Sequence, residues 1–395
     1  MTLPNLSNPQ TGQINALNFD DAIALALRQL RHSVAQLGTD FPGDTTKGDF
    51  YFPRRVAGFP DGVNYGWTTG LWTGLLWLAY ELGGDVKFHD IAEEHVDSFD
   101  DRLQKQINLD HHDLGFLYFP SCVASYRING SVQAKRIAIQ AADFLMERYL
   151  PKAGIIQAWG DLSDPQQCGR IIIDCLMNLP LLHWASDVTG IAHYRDVAIE
   201  HALRSRDYLI RADNSSYHTF HFDPDTGKPL RGSTAQGSSD ESSWARGQAW
   251  GIYGFALNHR YAPGLGLQEA AMKQADYFLR HLPEHDIAYW DLTFGDGSGE
   301  PVDSSASAIA VCGLLELAQS LPSGERQTFY RKTAERILKN LINRCAASLP
   351  SSNALLLHGV YSKPHGEGID EGNLWGDFFY LEALSRMNGS LKSYW

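Results

Sequence analysis

One carboxylate lies in a stretch made almost wholly of apolar residues: Gly169-Arg-Ile-Ile-Ile-Asp174-Cys-Leu-Met-Asn-Leu-Pro-Leu-Leu-His-Trp184. Fourteen of these sixteen positions carry no charge, so a helix over 170–188 would be apolar on nearly all sides and therefore buried. An ionised carboxylate there is costly unless partnered, so Asp174 must find a cation or keep its proton. A neutral, buried carboxylic acid is what general acid catalysis requires. The structural alternative is an ion pair with Arg170, one turn earlier, which would favour the charged form instead.

A second carboxylate candidate sits in Asn108-Leu-Asp-His-His-Asp-Leu-Gly-Phe-Leu-Tyr118, where Asp110, His111, His112 and Asp113 precede a helix start. Asp113 suits an N-cap. The cluster could also ligate a metal, although consecutive histidines rarely converge on one ion. A catalytic partner for Asp174 is the third reading. Tryptophans gather in loops and at helix starts (Trp67, Trp72, Trp159, Trp244, Trp250, Trp290, Trp375). Core packing accounts for any one of them, whereas several beside Gly, Asn, Gln and Asp suggest a wall on which sugar rings stack. Within Gln236-Gly-Ser-Ser-Asp-Glu-Ser-Ser-Trp-Ala-Arg-Gly-Gln-Ala-Trp250, Arg246 is placed to grip a carboxylate in a bidentate fork. Its alternative is a surface pair with Asp240 or Glu241. No GxSxG elbow, GxxxxGK[ST] loop or HExxH pair occurs.

The elements that must position these groups are helices. Apolar periodicity places them near 19–37, 68–83, 86–106, 114–127, 130–149, 170–188, 191–211, 245–261, 266–282, 304–320, 325–346 and 375–389. They pair internally. Gly84-xxx-Phe88-xxx-Ala92-xx-His95 recurs 106 residues on as Gly190-xxx-Tyr194-xxx-Ala198-xx-His201, and Tyr330-xxx-Ala334 is a weaker third copy. An apolar helix followed by a more polar one, repeated about six times, closes into a double ring. The fold class expected is therefore all-α, a single domain over 1–395. Long irregular stretches at 38–66, 212–243, 283–303 and 347–374 are expected to be functional or to form small ribbons. Residues 217–233, alternating around an Asp-Thr-Gly turn, are expected to be the one hairpin.

A net charge of −13, from 33 basic and 46 acidic residues, argues against a nucleic-acid surface. It leaves room for a small anionic ligand beside local arginines. Met1–Gln10 has neither a basic start nor an apolar run, so no secretory signal is expected. No run of 18 apolar residues suggests a membrane span. Five scattered cysteines without CxxC spacing fit reduced thiols in a cytoplasm. Nothing in the chain sets an oligomeric state.

Six blocks, in order, resemble the unsaturated glucuronyl hydrolases, an (α/α)6-barrel family of glycoside hydrolases. They are Asp110–Tyr118, Gly154-Ile-Ile-Gln-Ala-Trp-Gly160, Gly169–Cys175, Ser215-Ser-Tyr-His-Thr-Phe220, Trp244-xx-Gly-Gln-Ala-Trp-Gly-Ile-Tyr-Gly254 and Asp303-Ser-Ser-Ala-Ser-Ala308. With Trp67 and Trp375–Glu382 the resemblance spans nearly the whole chain. It implies action on oligosaccharides left by polysaccharide lyases, whose non-reducing end is a 4,5-unsaturated uronic acid. An acid protonates C4 of that vinyl ether and water adds at C5. The resulting hemiketal opens and expels the next sugar. The resemblance makes Asp174 the acid and then the base, with Asp113 as the second carboxylate, raising the Asp174 pKa if the two lie close. His218 and Gln236 match positions that orient water and the sugar, and Arg246 fits the substrate carboxylate. Trp67, His112, Trp159, Trp244 and Trp250 fit pocket walls. No cofactor or metal is implied.

Two departures stand out. Relatives that act well on sulfated fragments carry Ser-x-x-Ser-x-Lys before the last inner helix, whereas this chain reads Ser362-Lys-Pro-His365-Gly-Glu367. A glutamate opposite a sulfate repels it, so unsulfated substrates are expected to be preferred. Gly66 stands before Trp67, where relatives often have aspartate. Two rival readings share the scaffold. One is a hydrolase of unsaturated rhamnogalacturonan fragments, against which the Asp110–Tyr118 block speaks. The other is a non-catalytic carbohydrate-binding protein, against which retention of both aspartates, His218 and Gln236 speaks.

Overall fold

Among the described residues, six apolar helical rods form an inner ring and six more polar helices wrap it. The computed structural model describes residues 18–164, 167–390 and 395; the Met1–Gln10 segment considered for a leader lies outside them. In chain order the helices are α1 (Phe19–Leu37), α2 (Thr69–Gly83), α3 (Val86–Gln104), α4 (Leu114–Tyr118), α5 (Ala124–Asn129), α6 (Val132–Met146), α7 (Leu179–Thr189), α8 (Ala192–Leu209), α9 (Ala245–Tyr261), α10 (Leu267–Arg280), α11 (Ser304–Ser320), α12 (Glu325–Arg344) and α13 (Leu374–Met387). A π-turn over Phe119–Val123 joins α4 to α5, making one bent inner rod. That rod, α7, α9, α11, α13 and α2 contact one another in sequence and close the ring. Helices α3, α6, α8, α10, α12 and α1 pack outside.

The two rings differ as their sequences require. Every residue of α11 from Ser304 to Ala318 is buried, whereas α12 buries one stripe, Tyr330, Thr333, Ala334, Ile337, Leu338, Leu341 and Ile342. The 106-residue repeat marks the inner-to-outer connection. Gly84 and Gly190 end α2 and α7 in the left-handed conformation, which glycine adopts without a Cβ clash. The outer helix then starts within two residues, and Phe88, Ala92 and His95, like Tyr194, Ala198 and His201, face inward.

The helix expected over 170–188 is corrected. Arg170–Ile172 is a strand, β3, and Ile173–Met177 a 3-10 turn; the α-helix begins only at Leu179. β3 pairs with β4 (Thr219–Phe222), which pairs with β5 (Pro229–Ser233). Three β-branched residues in a row suit a strand as well as a buried helix, and the β4 edge decided between them. The hairpin expected within 217–233 is present, but it is not the one ribbon. β1 (Tyr149–Leu150) pairs with β2 (Ile155–Ile156), and β6 (Gly359–Ser362) pairs with β7 (Glu367–Glu371). Among the described residues no helix is long and apolar enough to cross a membrane. All five cysteines are free thiols.

Candidate active site

Short ladders between loops bring the candidate groups together at one end of the ring. The His112 N–H donates to Ala158 O at 2.8 Å, and the Ala158 N–H to Arg170 O at 3.0 Å. Beyond β3, the Ile173 N–H donates to His218 O at 3.1 Å. His112, Trp159, Asp174 and His218 therefore come from four segments sewn side by side. Gly169 permits the start of β3: its φ is +87° and a Cβ there would lie 2.1 Å from Phe222 O. Gly115 permits the approach of Asp113, since a Cβ there would lie 2.3 Å from the Asn178 Cα. Asn178 locks the contact, accepting the Phe116 N–H at 2.7 Å on Oδ1. Its Nδ2 reaches towards Asp113 Oδ1 at 3.5 Å and Asp174 O at 3.4 Å.

The two carboxylates have opposite charge states. Asp174 is partly exposed, yet its Oδ1 is buried and has no hydrogen-bond partner. Burial pushes its pKa up to about 7; His112 opposes the rise, Asp113 adds to it and Arg246 opposes it. Arg170 is not the partner considered for it: its Nε donates to Gln167 O and its guanidinium lies over the Trp159 ring at 5.3 Å. Asp113 behaves the other way. Burial works against its ionisation, but the His112 charge and the His111 and His112 rings outweigh that and hold it far below the usual carboxylate range. His112 is the effective partner, with Nε2 3.3 Å from Oδ1. His111 accepts the Asp113 N–H on Nδ1 at 3.1 Å and faces Asn108 O through Nε2 at 3.0 Å, which fixes the ring beside Asp113.

Of the three readings of Asp113, capping is excluded: it occupies the N-cap position of α4 without a side-chain cap bond. Among the described residues no group of three or more His, Cys, Asp or Glu is arranged to hold a metal ion. Asp110 is paired with Arg148, which also braces Gln157 O and Gly160 O.

His218 accepts the Ala235 N–H on Nδ1 at 2.9 Å, which places its proton on Nε2. That Nε2 is buried and unpartnered. Burial first, then Arg246 and His112, press the ring's pKa down to about 3 and keep it neutral. Trp159 lies parallel to this ring at 6.4 Å and Trp244 edge-on at 4.8 Å. Trp67 is half-buried, stacked on Trp375 at 5.1 Å, with its indole N–H on the Tyr361 hydroxyl at 3.2 Å. Trp250 is 0% exposed and packs between Phe116 and Phe379. It stands behind the wall rather than in it. Gln236 Nε2 donates to Tyr361 O at 3.4 Å.

Arg246 is not paired at the surface with Asp240 or Glu241. It is 1% exposed and bound to the buried Asp303 at 3.0 Å. It also donates to Val360 O at 2.5 Å and Tyr361 O at 2.7 Å, and lies over Trp244 at 4.4 Å. Its guanidinium therefore ties α9 to the strand Gly359–Ser362 and supplies a fixed positive charge near Asp174. In the hairpin after that strand, Ser362 Oγ meets His365 Nδ1 at 2.7 Å. Lys363 is paired with Glu300 at 3.2 Å, and Glu367 is exposed opposite Ser362. Sequence reasoning left Asn178, Asp303 and Tyr361 unassigned. An asparagine four residues past Asp174 in an apolar run was the available signal for the first, and the Asp303–Ala308 block marked the second without giving it a role; Tyr361 carries none until the ring is closed.

A double ring of helices with a neutral acid, an ionised carboxylate and aromatic walls at one end defines a glycosidase built as an (α/α)6 barrel. Residues 49–388 match glycosyl hydrolase family 88, and the chain belongs to that family. It is 47% identical over 385 residues to the unsaturated chondroitin disaccharide hydrolase of Streptococcus agalactiae serotype III (strain NEM316), covering 97% of this chain and 94% of that protein. The crystal structure of an unsaturated glucuronyl hydrolase from Streptococcus agalactiae superposes with a TM-score of 0.91 at 47% identity, covering 96% and 95% of the two chains. A mutant of that enzyme complexed with dGlcA-GalNAc6S superposes with a TM-score of 0.83 at 44% identity, covering 98% and 95%.

Proposed function

We propose that the protein removes the 4,5-unsaturated glucuronic acid from the non-reducing end of lyase-generated oligosaccharides, of glycosaminoglycan or related origin, by hydrating its vinyl ether. The observation that carries this reading is the pair of adjacent carboxylates in opposite states. Asp174 is held protonated into the neutral range and Asp113 is held ionised. The Asp174 O–H breaks as its proton bonds to C4, and the positive charge left at C5 is shared with the ring oxygen. Asp113 stabilises that charge. Water adds through oxygen at C5 and returns a proton to the Asp174 carboxylate. The hemiketal opens and releases the neighbouring sugar. No glycosyl–enzyme bond forms, so carboxylate spacing does not classify the reaction.

The neutral His218, with a free Nε2–H, and Gln236 orient the water and the unsaturated ring. Trp67, Trp159 and Trp244 supply apolar walls, and the charge of Arg246 faces the substrate carboxylate. The hairpin carries no free cation for a sulfate: Lys363 is engaged by Glu300, Ser362 by His365, and Glu367 adds negative charge. Unsulfated disaccharides are therefore the preferred class. The whole chain acts as one catalytic domain, and its five free thiols suit the reducing cytoplasm.

The test is loss of the ultraviolet absorbance of the C4=C5 bond on mixing with lyase products. Asp174→Asn should abolish it while substrate still binds. Substantial residual turnover would remove Asp174 from the acid role.

A further inference from the structure

Gly66, the second of the two departures in the sequence, stands directly before the Trp67 wall, and the chemistry above makes no use of its surroundings. Its backbone is held in the left-handed region at φ +79°, with its N–H donating to Asn108 Oδ1 at 3.0 Å. A Cβ there would lie 2.8 Å from Arg54 Nη1 and 4.0 Å from Asp44 Oδ1. Glycine therefore keeps open a small space bordered by two charged groups.

Both groups are built in. The Arg54 side chain is 6% exposed. Its Nε donates to Pro42 O at 3.1 Å, and its Nη2 to Asp44 Oδ1 at 2.8 Å and the Thr68 hydroxyl at 2.7 Å. That hydroxyl in turn donates to the same Asp44 Oδ1 at 2.5 Å. Asp44 O accepts the Leu374 N–H at 3.1 Å, one residue before the Trp375 ring that stacks on Trp67. On the other side, a Cβ at Gly368 in β7 would lie 2.7 Å from Thr45 Cγ2. Asp44 thus lies between the Trp67 wall and the β6–β7 hairpin. Each group keeps one polar atom in reserve. Among the described residues, Arg54 Nη1 and Asp44 Oδ2 have no hydrogen-bond partner, and neither is sealed from solvent. Their rigidity means that a ligand contact costs little further ordering.

We propose that Asp44 and Arg54 form a subsite for the leaving sugar and recognise its hydroxyl groups: Arg54 Nη1 donates to a hydroxyl oxygen and Asp44 Oδ2 accepts from a hydroxyl, across the space that Gly66 leaves. The paired charges cancel, which suits a neutral hydroxyl. A sulfate at the same place would face the Asp44 carboxylate. This subsite deepens the function proposed above and rests on it, since the ring beyond the unsaturated uronate must lie outside the pocket that holds Asp174.

The test is calorimetric binding of two ligands to the Asp174→Asn protein. One is the unsaturated, unsulfated chondroitin disaccharide; the other is the methyl glycoside of 4,5-unsaturated glucuronic acid, which has no second ring. The disaccharide should bind more tightly. Asp44→Asn keeps the Oδ1 contacts and turns the open acceptor into a donor. It should cut the advantage of the disaccharide about tenfold, the effect of losing one hydrogen bond to a charged group. Arg54→Lys, which keeps the charge and loses the fork, should act in the same direction. Circular dichroism checks folding, and either folded variant alone decides the matter. Equal weakening of both ligands would mean a distorted wall and overturn the proposal, as would an undiminished advantage of the disaccharide. Failure of the acid role of Asp174 shows separately, as residual loss of absorbance with Asp174→Asn, and leaves the same contrast readable in KM.

Discussion

Asp174→Asn should abolish turnover and at the same time stabilise the fold, increasingly so as pH rises. The acid's pKa is lifted from an ordinary 3.8 to about 7. At 1.36 kcal/mol per unit, ionising it in the folded state costs about 4 kcal/mol. Between those two values the folded chain holds a proton that the unfolded chain has released. Stability is therefore highest below pH 3.8 and is lost as pH rises towards 7. At pH 5 about 1.5 kcal/mol of the penalty has been incurred and at pH 8 all of it, a difference of about 2.5 kcal/mol. The residue is partly open to the pocket, so solvent screening leaves about 1–2 kcal/mol. Asparagine keeps the shape and never ionises. Urea unfolding of both proteins at pH 5 and pH 8 should show the advantage of the variant growing by that amount. The same ionisation sets the rate: wild-type kcat/KM should be level in mild acid and fall tenfold per unit above about pH 7. No acid limb from Asp113 is expected, because its carboxyl is held far below the assay range. A stability gap independent of pH, together with a rate level to pH 9, would refute the argument that a protonated Asp174 drives the reaction.

Three further outcomes follow from named contacts. His218→Ala removes the unpartnered Nε2–H and should lower kcat by about a hundredfold, the lower end for a group assisting proton transfer; steady-state kinetics with a circular-dichroism check of folding would decide it. Gly115→Ala places a Cβ 2.3 Å from backbone at Asn178, so the two catalytic segments must separate. A stability loss of about 1–3 kcal/mol, with a large fall in kcat, should appear in denaturant titration and assay; wild-type values would show that the approach is not needed. Unsulfated chondroitin disaccharide should be turned over faster than its 6-sulfated counterpart, and Glu367→Lys should narrow the gap. A wild-type preference for the sulfated sugar would refute the role given to the hairpin.

Much of this molecule was legible before folding. Eleven of the twelve expected helices stand within a few residues of their observed positions, because apolar periodicity, glycine stops and the 106-residue repeat are local signals. The unusual setting of Asp174 was legible for the same reason: an acid in an apolar run must be handled specially wherever it folds. What sequence alone could not decide was the geometry between segments. Ile171 and Ile172 could have continued a buried helix, and they became a strand only because the β4 edge was there to accept them. Whether Arg246 met Asp240, a substrate or the distant Asp303 depended on how α9 and α11 came together, since charge pairing reads separation in space and not along the chain. Likewise the ionisation of Asp113 and the neutrality of Asp174 exist only once four loops converge, because a pKa is set by burial and neighbours that no single segment contains.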